Sequence, residues 1–77
     1  MQYLFTTQKE TIMKIQAINK AGEIIVDFVS NEPKNWATNE AICRCYQQCV
    51  SFFAIYVDGK LDCYSESSDR FNFPKTI

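Results

Sequence analysis

Phe52-Phe53-Ala54-Ile55-Tyr56-Val57-Asp58-Gly59-Lys60-Leu61-Asp62-Cys63-Tyr64-Ser65 decides the fold. Asp58-Gly59 separates two runs of β-branched and aromatic residues. An Asp-Gly pair in that setting is the strongest short-range hairpin signal, because a tight turn needs positive φ at both central positions. The register has two readings. A two-residue turn groups Ala54, Tyr56, Leu61 and Cys63, and leaves Phe53, Ile55 and Val57 beside Lys60, Asp62 and Tyr64. A three-residue loop with a bulge groups Phe53, Ile55, Val57, Leu61 and Cys63, and turns Tyr56, Asp62 and Tyr64 outward. One residue of slip exchanges the faces. The bulged version gives the more uniformly apolar core face and is preferred. The hairpin spans 53–65.

Working back along the chain, residues 11–29 form a second hairpin. Ile12 to Ile18 and Ile24 to Val29 are apolar, β-branched runs. Asn19-Lys20-Ala21-Gly22 reads as the turn, with Gly22 in the left-handed position. Pairing Ile18 with Glu23 places Met13, Ile15, Ala17, Ile24, Val26 and Phe28 on one face. Ile12, Lys14, Gln16, Ile25 and Asp27 fall on the other, the division of a sheet covered on one side.

Pro33 ends the strand, and a helix of about 36–51 follows, with Asn35 or Thr38 as N-cap. Its helical stripe is Thr38, Ile42, Cys45, Tyr46, Cys49 and Phe53. Residues 2–7 have the composition of an edge strand, and Phe71-Asn72-Phe73 of a short closing strand stopped by Pro74. Residues 1–77 then make a single α+β domain of two layers. A four- to five-stranded antiparallel sheet carries one helix on one face.

Composition narrows the function. The 77 residues contain no histidine, which removes the commonest general base and metal ligand. The net charge of −1 and pI of about 5.2 argue against DNA binding, which needs a basic footprint. No run approaches the ~20 apolar residues of a membrane span, and the first residues lack the basic start of a secretory signal. The expected location is cytoplasmic, the host cytoplasm if the gene is a phage's. Four cysteines at 43, 45, 49 and 63 match no zinc spacing and read as reduced, buried thiols. Cys45 and Cys49 lie on the buried stripe, and Cys43 is the most exposed by helical angle. The two glycines both serve turns, so no phosphate-binding loop exists. No catalytic, cofactor or metal residues are assigned.

Aromatic residues are the surplus. They number eleven, more than one small helix-on-sheet core seats. The plain explanation folds Trp36, Phe52 and Phe71 around the sheet edges. The functional one is an exposed aromatic and acidic surface of the kind that dominates protein interfaces. Asp58, Asp62, Glu66 and Asp69 cluster in sequence, relieved only by Lys60. They are either a solvated hairpin edge or a patch aimed at a basic partner. The candidate partner-binding residues are Trp36, Tyr56, Asp58, Asp62, Tyr64, Glu66 and Asp69.

The run MKIQAINKAGEIIVDFVSN, a single helix, then FFAIYVDGKLDCYSE resembles the small one-domain proteins that phages and mobile elements encode against host defences, such as anti-CRISPR proteins. The resemblance lies in size, element order and mild acidity, and transfers no functional residue. It implies a cytoplasmic, non-enzymatic inhibitor that blocks a larger protein or nucleoprotein complex by docking on a basic surface. Two other classes stand beside it. One is a homo-oligomeric structural or regulatory module, such as a homodimer, pairing through Ile12, Ile18 and Ile25. The other is a small RNA-binding domain, against which the acids beside the rings count.

Overall fold

A computed structural model describes residues 12–65 and 72–77. The elements run β1 (Met13–Asn19), β2 (Ile24–Ser30), α1 (Lys34–Gln47), β3 (Phe53–Val57) and β4 (Lys60–Tyr64). The strands form one sheet in the order β2-β1-β3-β4 with every neighbouring pair antiparallel. One helix packs on one face, which makes the fold α+β. The proposed strand at 2–7 lies outside the described residues.

The β1–β2 turn is held by Asn19. Its Oδ1 accepts from the N–H groups of Ala21 (3.0 Å) and Glu23 (2.9 Å), and Gly22 takes φ +86° as expected. These bonds carry the loop through Glu23, so the strands pair two residues away from the expected register. Met13 faces Ser30, Ile15 faces Phe28 and Ala17 faces Val26. An even offset preserves the face, so these residues still point together. A bulge between Ala17 and Ile18 then moves Ile24 opposite Ile18. Ile24 is exposed instead of buried, and Ile25 packs partly against the helix-side core. Ile18 is buried, so of the three residues expected to pair subunits only Ile12 is largely exposed.

The second hairpin combines both expected registers. Asp58 (φ 52°) and Gly59 (φ 81°) form the tight two-residue turn, with Val57 opposite Lys60 and Tyr56 opposite Leu61. The bulge lies one step further in, at Asp62, so that Ile55 faces Cys63 and Ala54 faces Tyr64. Phe53, Ile55, Val57 and Cys63 therefore join the helix-side core, as the preferred reading required. Leu61 does not. It lies with Tyr56, Ile18, Ala54 and Phe73 in a second cluster on the opposite face. Tyr56, expected to point outward, is fully buried there.

The C-terminal residues close this second cluster. The Tyr56 hydroxyl donates to the Pro74 carbonyl at 2.5 Å. Leu61 N–H donates to Lys75 O, Ile77 N–H donates to Gly59 O, and Thr76 bridges Lys60. The pairing segment thus follows Pro74 instead of being stopped by it. Residue 73 supplies a buried ring and no strand, and Phe71 lies outside the described residues.

Helix α1 starts two residues before the expected position, with Pro33 as N-cap (φ −54°, ψ 147°). Neither Asn35 nor Thr38 caps it. Proline has its φ preset, and its carbonyl accepts from Trp36 and Ala37 N–H at 3.0 Å each. The Thr38 hydroxyl instead donates to Asn35 O. The helix ends early because Cys49 adopts φ 62°, while Val50 N–H returns to Cys45 O at 3.1 Å. The buried stripe is Ala37, Thr38, Ala41 and Cys45. Two alanines let the backbone approach the sheet closely, which leaves Ile42 half-buried and Tyr46 and Cys49 exposed, against expectation. Tyr46 still sets its ring edge-on to Phe53 at 5.5 Å.

Candidate partner-binding surface

Pro33 fixes where α1 begins, and that places Trp36 on the first turn beside the end of β2. Trp36 is 63% exposed. Together with Phe28, Ser30, Glu32, Ala37 and Glu40 it lines an open groove of about 320 Å³. The groove already shows a taste for cations. The Arg44 guanidinium lies 4.3 Å from the Phe28 ring centroid, and its Nε donates to Glu40 Oε2 at 3.0 Å. A flat cation over an aromatic face beside a carboxylate is the arrangement that recognises arginine. Glu32 is exposed and lines both this groove and the neighbouring concavity of Ile12 and Val29.

The other candidates are dispersed. Asp62, turned toward α1 by the bulge, pairs with Lys34 Nζ at 2.9 Å. The Asp62 hydrogen bond and charge raise the Lys34 pKa. Asp62 is thereby tied to the turn that carries Trp36. Asp58 is joined to β1: its Oδ1 accepts from Lys14 N–H at 2.9 Å, and its own N–H donates to Lys14 O at 2.8 Å. Tyr64 is 46% exposed but sits on the face opposite α1. Tyr56 is buried and withdrawn from any surface. Glu66 and Asp69 lie outside the described residues. The described acids at 58 and 62 therefore do not face one way.

Glu32 and Glu40 were missed as neighbours of Trp36. The signal lay in the β1–β2 register, which sets where Ser30 ends the strand. Phe52 is also exposed, with Lys20 Nζ 5.2 Å from its ring centroid.

The thiols divide into two classes. Cys45 is buried and Cys63 half-buried, and burial pushes both pKa values up to about 11, with Asp62 adding to the effect at Cys63. Cys43 and Cys49 are exposed, so the expectation of four buried thiols is corrected for these two. A thiol reagent at pH 8 is expected to modify two cysteines rapidly and the other pair fully only after unfolding. Four equally fast thiols would contradict the packing. Because the fold favours the neutral thiol at 45 and 63, that stability is complete below the ordinary thiol pKa near 9. It is lost as pH rises toward about 11. The melting midpoint should therefore fall across that interval.

Among the described residues no group of three or more His, Cys, Asp or Glu is placed to hold a metal ion, and no helix is long and apolar enough to cross a membrane. Comparison with protein-family models, curated proteins and solved structures found no match to this chain.

Proposed function

We propose that this protein is a non-enzymatic binding protein that inhibits a larger cytoplasmic protein or nucleoprotein complex by covering a basic surface. The observation that carries the reading is Trp36, exposed at the mouth of a groove edged by Glu32 and Glu40. An indole of this exposure loses contact with water on docking and gains packing and cation–π contact, which is why tryptophan dominates interface energetics. The carboxylates select a cationic partner and speed encounter. Host-defence complexes, which handle nucleic acid through basic surfaces, are the partner class that fits this chemistry and the resemblance noted above.

Charge reversal tests the acidic half of the claim. The partner is retained from lysate of the native host on immobilised wild-type protein and then purified. Glu32→Lys should weaken its binding by about tenfold at low ionic strength, with the difference shrinking as salt is added. Equal affinity at every salt concentration would remove Glu32 from the surface. Relief of the partner's activity from inhibition by the same variant would connect binding to function.

A further inference from the structure

Strand β2 is an edge of the sheet among the described residues, with β1 as its one neighbour. Natural edge strands are blunted by lysine, proline or short length, since an open row of N–H and C=O groups invites another strand. Here Ile24-Ile25-Val26-Asp27-Phe28-Val29-Ser30 runs seven residues with a single charge and no proline. On the face away from α1, Ile24 is 52% and Val29 67% exposed on either side of the exposed Asp27, with Ile12 64% exposed beside them. Concavities flank the end of this strand on both sides. Phe28, Ser30, Glu32 and Trp36 line one, on the helix side. Ile12, Val29, Ser30, Asn31 and Glu32 line the other.

We infer that a second copy of this chain adds to β2 in antiparallel fashion, with Phe28 on the two-fold axis. Two constraints select the register. The bulge near Ile25 leaves residues 26, 28 and 30 on the helix side and 24, 27 and 29 on the other. Centring the axis on residue 28 matches the faces, with 28 meeting 28, 26 meeting 30 and 27 meeting 29, whereas centring on 29 matches them but pairs only residues 28–30 within the strand. Centring the axis on residue 27 also matches faces, but sets two aspartates opposite each other, which is destabilising. Centring on 28 sets Asp27 against Val29. The same register carries the exposed Ile24 of the second copy alongside residue 32, next to the concavity of Ile12 and Val29. Each such contact occurs twice, as a two-fold interface demands. The product is one continuous eight-stranded sheet from two of four. Both helices lie on the same side, with the two Trp36 grooves adjoining. This assembly is independent of the inhibitor reading, since it is measured without any other protein.

Sedimentation velocity over low to high micromolar concentration tests it. The wild type should sediment as a monomer–dimer equilibrium. Val29→Asp, at a site solvated in the monomer, should weaken association more than ~tenfold, because it sets a second carboxylate opposite Asp27 of the other copy at both symmetry-related positions. Asp27→Thr should tighten it several-fold by removing the charge that faces Val29. Far-UV circular dichroism checks that each variant folds, and Asp27→Thr decides the matter if Val29→Asp does not. A wild type that stays monomeric throughout would overturn the inference. So would a dimer indifferent to both substitutions.

Discussion

Tyr56→Ala is expected to destabilise the protein by about 3–5 kcal/mol, the range for removing a large aromatic from a packed interior. A chain of 77 residues has roughly 4–12 kcal/mol to lose, so this one truncation consumes a large part of it. The cause is location. Tyr56 is fully buried on the sheet face away from α1, among Ile18, Ala54 and Phe73. Its hydroxyl is spent on Pro74 O, which ties the C-terminal residues to β3, while Leu61 N–H holds Lys75 O at β4. Tyr56→Phe keeps the ring and loses that bond, and should cost about 1 kcal/mol. Urea titration of the three proteins checks the order. A surface position, as the sequence suggested, would place both variants within ~0.5 kcal/mol of wild type.

Trp36→Ala should do the reverse. Its side chain is mostly solvated, so folding stability should change by no more than about 0.5 kcal/mol. Binding to the partner should weaken by about 2–4 kcal/mol, or roughly 30- to 1,000-fold, the range for a central aromatic anchor. Trp36→Phe retains part of the ring and should fall between. The pair of tyrosine and tryptophan variants thus separates what holds the fold from what meets a partner.

The elements were legible because their signals are local. Asp58-Gly59 can close its turn only with both residues at positive φ, and both are. Pro33 had to end the strand, and Gly22 had to take the left-handed position. What escaped depends on contacts between distant residues. The bulge at Asp62 accompanies an ion pair with Lys34, twenty-eight residues earlier in the chain. That bulge puts Leu61 on the face of Tyr56 and Cys63 on the other. The cover over Tyr56 comes from Phe73 and Pro74, and the pairing with β4 from residues 75–77, which follow a proline and carry no strand signal of their own. The helical stripe was rotated because large side chains were given the core, whereas Ala37 and Ala41 take it by allowing closer approach. At the surface, Trp36 was found by its chemistry, while Glu32 and Glu40 needed the register of β2 to be seen beside it.

Trp36 is the chain's single tryptophan, so its fluorescence reports the proposed surface without interference from within the chain. The partner is titrated into wild-type protein, with the Trp36→Phe complex subtracted as the blank. Emission should move to shorter wavelength and quenching by iodide should fall, saturating at the stoichiometry of the complex. An indole that stays as red-emitting and as quenchable in the saturated complex as in the free protein would contradict the account.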